Sequence, residues 1–91
     1  MRVTLNIGLS DKFTADEAIL AVEKLFGVFN PKSRVVTCKG GWQDESTLVI
    51  LFEADFNHKM VVKLADILNE DAIAYSTEKI QALAWNTSYT G

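Results

Sequence analysis

Cysteine, histidine and proline each occur only once in the 91 residues of this chain. Because Cys38 has no partner, no intramolecular disulfide can form, and its place in a run of β-branched residues predicts a small buried side chain. With His58 as the single histidine, a metal site would need carboxylates to complete it, so we predict no metal and no cofactor. A lone cysteine also fits a reducing compartment, and we expect a cytoplasmic protein.

The chain also lacks long apolar runs. No stretch approaches the roughly 18 apolar residues that a membrane helix needs, and we predict no membrane association. Residues 1–5 contain neither the apolar region nor the cleavage site of a signal peptide, because apolar and polar residues begin to alternate at once.

Catalytic patterns are absent from the sequence too. There is no nucleophile constellation and no glycine-rich loop that would cradle a phosphate. The loop after the first predicted strand, residues 10–13, has no arginine for acylphosphatase-like chemistry, and Asp11 would repel an anion. His58 follows Asn57 at the predicted start of a helix, where we interpret it as an exposed structural residue. We therefore predict a protein that is not an enzyme.

The composition is that of one folded domain. Hydrophobic residues make up 48% of the chain and charged residues 23%, which allows a core and argues against disorder. A net charge of −3 disfavours nucleic acid as a partner, since general nucleic-acid binders are basic. Lys32, Arg34 and Lys39 form a basic cluster, which we interpret as protection of an edge strand against indiscriminate pairing.

Hydrophobic periodicity divides the first half of the chain into strand, helix and strand. Apolar residues alternate with polar ones from Val3 to Leu9, the pattern of a strand with one buried face. Thr14 and Glu17 have the spacing of a capping box, and Gly27 suits a left-handed helix end, so a helix is predicted between them. The β-branched residues 34–38 predict the second strand.

The second half repeats the order strand, helix, strand. Residues 47–52 are almost all apolar, as in a central strand, and Asn57 is a suitable cap for a helix whose apolar face includes Ile67. Residues 72–75 have strand character. Residues 79–85 fit either a fifth strand or a short helix, because their alanine and leucine favour helix.

The segment between the second and third strands is the most distinctive loop of the sequence. Residues 39–46 contain two adjacent glycines and several polar residues, which predicts a hairpin connection of more than minimal length. Trp42 and Gln43 lie within it.

The order β-α-β-β-α-β predicts an α+β fold of the ferredoxin-like, split β-α-β plait type, with two helices on one face of an antiparallel sheet. Residues 79–85 would add a fifth strand if they are extended. We assign residues 1–85 to a single domain and residues 86–91 to a flexible tail.

Three blocks, Val3–Leu9, Glu45–Val49 and Asp71–Ala74, resemble those of small uncharacterised proteins carried by phages and prophages. The resemblance spans most of the chain and carries over no catalytic or binding residue. It implies a bacterial cytoplasm in which a phage-encoded protein binds itself or a host protein.

The predicted sheet indicates how such a protein would act. Helices on one face leave the other face to water or to a partner, and strands as apolar as 47–52 favour cover by a second copy or a host protein. Trp42, Gln43, Trp85 and Tyr89 are candidate interface residues, since tryptophan and tyrosine dominate interface hot spots. Trp85 could equally cap the end of the core.

A small-molecule-binding regulatory domain is the alternative. Its ligand would lie at a strand-to-helix loop or between paired subunits, and Gly8 is compatible with the first such loop. A glycine there also fits the end of a strand or a bulge.

Overall fold

The computed structural model describes residues 1–40 and 43–88, with the side chains of 38–40 and 43–44 left out. The chain forms an α+β structure with one antiparallel five-stranded sheet and two helices. The elements, in chain order, are β1 (Arg2–Gly8), α1 (Ala15–Phe26), β2 (Lys32–Gly40), β3 (Gln43–Glu53), α2 (His58–Leu68), β4 (Ala72–Thr77) and β5 (Gln81–Trp85).

Strand β1 is central in a sheet of order β2-β3-β1-β4-β5. Leu5 of β1 lies opposite Ile50 of β3 on one side and opposite Tyr75 of β4 on the other. Strand β2 pairs with the outer side of β3, and β5 pairs with the outer side of β4. Every neighbouring pair is antiparallel, and β2 and β5 form the two edges.

One face of the sheet packs against both helices. Along β1 the side chains alternate, with Val3, Leu5 and Ile7 buried and the residues between them more accessible. Both helices contribute buried residues to the same core. The core side chains of β3, β4, α1 and α2 are Leu48, Ile50, Phe52, Ile73, Tyr75, Ala18, Val22, Phe26, Val61, Leu64, Ala65 and Leu68.

The helix ends that the sequence predicts are confirmed. The Thr14 hydroxyl accepts a hydrogen bond from the Glu17 amide, and the Glu17 carboxylate accepts one from the Thr14 amide. Gly27 ends α1 with φ of 68°, and its amide donates to the Glu23 carbonyl. Asn57 caps α2 by accepting from the Met60 amide at 3.1 Å. These contacts satisfy backbone groups that a helix end leaves unpaired.

The prediction of a long loop between β2 and β3 at residues 39–46 is wrong. The ladder continues to Gly40 opposite Gln43, so the connection is only residues 41 and 42, which lie outside the described residues. The two strands extend beyond Gly8, the last residue of β1, and Thr37 and Glu45 of this extension are exposed. Polar residues such as Glu45 and Thr37 are therefore compatible with a strand there. The Cys38 side chain also lies outside the described part.

Residues 79–85 contain a strand, β5, so the alternative of a C-terminal helix is excluded. Asn86–Ser88 hydrogen-bond to α2 and to each other, while residues 89–91 lie outside the described residues. Ile67, which the helical period assigns to the apolar face of α2, is 54% exposed. Neither described helix is long and apolar enough to cross a membrane.

Candidate functional site

The sheet face opposite the helices carries several exposed large apolar side chains. We call it the open face. It consists of the strand residues that alternate with the core residues and that pair with one another across neighbouring strands. Residues paired directly across strands share a face. The open face comprises Lys32, Arg34 and Val36 of β2; Thr47, Val49, Leu51 and Glu53 of β3; Arg2, Thr4, Asn6 and Gly8 of β1; Ala72, Ala74 and Ser76 of β4; and Gln81, Leu83 and Trp85 of β5.

Several large apolar side chains of the open face contact solvent. Leu51 is 43% exposed, Leu83 is 50% exposed and Trp85 is 45% exposed. Val36 is 37% exposed, and Val49 is half-buried. A contiguous exposed apolar patch is typical of an interaction surface, whereas scattered apolar residues are ordinary.

The surface of the open face is uneven because its side chains differ in size. Strand β3 contributes Val49 and Leu51, and β5 contributes Leu83 and Trp85. Between these two strands, β1 and β4 present small or short residues, apart from Arg2 at the start of β1. Those residues are Thr4, Asn6, Gly8, Ala72, Ala74 and Ser76. The face therefore has a ridge along β3, a second ridge along β5 and a trough along β1 and β4.

Charge on the open face is confined to one half. Lys32 and Arg34 lie on β2, and the Arg2 guanidinium forms a 3.6 Å ion pair with Glu53. Both members of that pair are highly exposed, so the pair contributes little to stability. The open-face residues of β4 and β5 carry no charge. One half of the face is therefore mainly basic and the other half neutral.

Of the four predicted interface residues, two lie within the described part of the chain. Trp85 lies at the end of β5 on the open face, opposite Ala72 of β4. Gln43 is the first residue of β3 and pairs with Gly40, beyond the end of β1. Trp42 and Tyr89 lie outside the described residues. Trp85 and Gln43 are thus on different strands, and only Trp85 is placed in the open face.

Sequence reasoning missed the side chains that make the open face apolar on β3 and β5, apart from Trp85. Leu51 and Val49 stood in a run predicted to be apolar on both sides, but the sequence did not say which of them face the core. Leu83 lies in residues 79–85, for which the sequence allowed either a strand or a helix. A period-two reading of residues 81–85 would have placed Leu83 and Trp85 together.

A second group of polar side chains lies at the start of α2. His58 Nδ1 lies 2.7 Å from Tyr75 Oη of β4, and the two rings are tilted with centroids 5.7 Å apart. His58 is exposed, as predicted, while Tyr75 is 3% exposed. This hydrogen bond could not be predicted from the sequence because the two residues are far apart along the chain. Among the described residues, no three His, Cys, Asp or Glu side chains are grouped as metal ligands.

A groove between the two helices is a second apolar surface. Its volume is about 490 Å³, and its floor includes Leu20 of α1 and Ile67 of α2. Glu17, Lys24 and Lys63 surround these side chains. The groove has fewer large apolar residues than the open face and charged residues of both signs.

Comparison with protein-family models, with curated proteins and with solved structures finds no match to this chain. The open face and the polar side chains at the start of α2 are therefore the candidate functional surfaces of this protein.

Proposed function

We propose that this protein is a non-enzymatic interaction domain that acts by self-association, with the open face as the contact between two copies. The observation that carries the proposal is the combination of exposed Leu51, Leu83 and Trp85 on one face of the sheet. Burying these side chains against a second copy would remove apolar surface from water, at about 25 cal/mol for each Å².

The relief of the open face supports a second copy as the occupant. A two-fold axis parallel to the strands would place β3 of one copy over β4 of the other and β1 over β1. Val49 would then face the second copy's Ala74, and Leu51 would face the second copy's Ser76. The β3 ridge of each copy would enter the other copy's trough at β4, and this pairing of large with small side chains allows close sheet-on-sheet packing.

The charge distribution supports the same arrangement. The axis would place β2 of one copy over β5 of the other, so the two basic edges would not meet. Arg34 would lie near the second copy's Leu83 and Trp85, where a guanidinium can contact an aromatic ring. Neutral β4 and β5 would therefore cover β3 and β2, the strands that carry Glu53, Lys32 and Arg34.

The size of the face predicts a modest affinity. Five strands with side chains on one face span about 24 Å by about 20 Å, so two copies would bury on the order of 1,000 Å² in total. Specific interfaces usually bury about 1,200–2,000 Å², and those below that range are mostly weak or transient. We expect a dimer whose population depends on protein concentration.

Light scattering and sedimentation across a concentration series test the proposal. The wild-type protein should shift from monomer to dimer, and Leu51→Glu should remain a monomer because the ridge would carry a charge. Leu20→Glu on α1 is the matched control, since Leu20 is 50% exposed and faces away from the open face. Ala74→Phe should weaken the dimer without adding charge, because it fills the trough.

A wild-type protein that stays monomeric at every concentration would overturn self-association, and a host protein would become the candidate partner. Loss of the dimer in Leu20→Glu but not in Leu51→Glu would move the interface to the groove between the helices. Circular dichroism of each variant separates these results from unfolding.

The strand order also supports assignment to the ferredoxin-like split plait. In β2-β3-β1-β4, the first and third strands are central and the second and fourth flank them, with β5 added beyond β4. The cytoplasmic setting and the phage or prophage origin are parts of the proposal that rest on the sequence, through the lone cysteine and the three blocks of strand residues.

A further inference from the structure

A small cavity lies where the loop after β3 meets the start of α2 and the end of β4. Its volume is about 240 Å³. Met1, Phe56 and Ile80 provide apolar walls, and His58, Tyr75 and Lys79 provide polar groups. This cavity is separate from the open face, since none of its lining residues belongs to that face and Tyr75 faces the core.

The aromatic wall of the cavity is held in place by contacts with the core. The Phe56 ring lies 5.0 Å from the Tyr75 ring and 6.1 Å from the Phe26 ring, measured between centroids. Phe26 and Tyr75 are both buried. The His58–Tyr75 hydrogen bond ties the first turn of α2 to this wall. A ligand would therefore meet a largely preformed surface, which lowers the entropic cost of binding.

The lining of the cavity is cationic without a counter-charge. Lys79 is a lining residue, and none of the lining residues is a carboxylate. Lys79 Nζ forms no ion pair with any carboxylate among the described residues. When the Tyr75 hydroxyl donates to His58 Nδ1, the neutral imidazole carries its proton on Nε2, which becomes a second donor.

The apolar walls remain partly open to solvent. Ile80 is 51% exposed and Met1 is 48% exposed. A flat apolar group between them and Phe56 would remove this surface from water. The volume is below the roughly 300–1,000 Å³ of pockets that take drug-sized ligands, so the occupant would be small.

We propose that this cavity binds a small carboxylic acid with a flat apolar body. The carboxylate contacts Lys79 and the His58–Tyr75 pair, and the apolar body packs against Phe56, Ile80 and Met1. This ligand site is separate from the surface proposed for self-association, and binding there does not depend on the dimer.

Titration of the whole protein with benzoate, followed by NMR, tests the site. Benzoate should shift the signals of Ile80, Phe56 and His58 in a saturable way at millimolar concentrations. Benzamide, which has the same ring without the charge, should bind about tenfold more weakly, because a hydrogen bond to a charged group is worth more than a neutral one. The Leu51→Glu variant should bind benzoate like the wild type, which separates this site from the open face.

Lys79→Met should weaken benzoate binding about tenfold while retaining the dispersed spectrum of the folded protein. Lys63→Met, which removes a charge from the helix groove, is the matched control and should bind normally. Unsaturable shifts, equal binding of benzamide, or unchanged affinity in Lys79→Met would each overturn the proposal. Binding of a peptide with a C-terminal phenylalanine but of no free acid would overturn it in favour of a protein partner.

Discussion

The Nδ1 atom of His58 lies 2.7 Å from the phenolic oxygen of Tyr75, which joins the first residue of α2 to a buried position of β4. The bond orients the first turn of α2 against the sheet, while the other end of the helix closes at Asn69, which has a left-handed backbone conformation. It also brings the chain's single histidine into the wall of the cavity. An exposed residue of a helix and a core residue of a strand thus form one structural unit.

Tyr75→Phe should lower the free energy of unfolding by about 1 kcal/mol, because it removes one partner of this hydrogen bond and retains the ring. Urea denaturation monitored by circular dichroism measures the change. The same substitution in a His58→Ala background should cost much less, since the partner is already gone. An equal cost in both backgrounds would show that the bond does not stabilise the fold.

Asn86→Ala should lower the free energy of unfolding by about 1–3 kcal/mol, because buried polar groups would lose their partner. Asn86 Nδ2 donates to the Ala65 carbonyl at 3.2 Å, and its Oδ1 accepts from the Ser88 amide at 2.8 Å. Asn86 is 7% exposed. Thr87→Ala is the neighbouring control: the Thr87 hydroxyl bonds to the exposed Asp66 carboxylate, so its loss should cost less. Equal effects on urea unfolding would argue against a role for burial.

Glu70→Gln should stabilise the protein at neutral pH. Burial raises the pKa of the Glu70 carboxyl above its usual value, Asp71 adds to the rise, and Lys12 opposes it. Its Oε1 atom is buried, and no hydrogen-bond partner for it is found within the described part of the chain. Between the unfolded and folded pKa values only the folded state keeps the proton, so stability falls as pH rises through that window.

Urea unfolding at about pH 3 and about pH 7 measures this effect, since an ordinary glutamate titrates between them. Wild type and Glu70→Gln should have nearly equal stability at the lower pH and differ at the higher pH. Glu45→Gln, at an exposed position of β3, should show a small difference at both. A loss of stability in Glu70→Gln at neutral pH would contradict the prediction.

Gly27→Ala should lower the free energy of unfolding by about 1 kcal/mol or more, because φ of 68° is costly for a residue with a Cβ. No atom lies within 4 Å of the position a Cβ would take, so the cost would come from the backbone alone. Gly27→Asn should cost less, since asparagine tolerates this conformation, as Asn69 does at the end of α2. Thermal unfolding of the two variants makes the comparison.

The sequence by itself determined the local elements of this protein. The alternation from Val3 to Leu9, the Thr14–Glu17 capping box and the left-handed Gly27 depend on residues within a few positions of each other. These short-range patterns do not depend on contacts with distant parts of the chain. The α+β class follows from them, because the order of elements leaves one antiparallel sheet and two helices as the way to bury their apolar sides.

Tertiary structure decided the sites. Leu51 and Val49 form a ridge only because β3 lies beside the small residues of β1, and His58 meets Tyr75 only because β4 pairs with β1 next to α2. Likewise, residues 43–46 belong to a strand because β2 continues to pair with them where β1 has ended. Such contacts join residues that are distant along the chain. Hydrophobic periodicity indicates only which side of one element is apolar. It carries no information about which elements become neighbours.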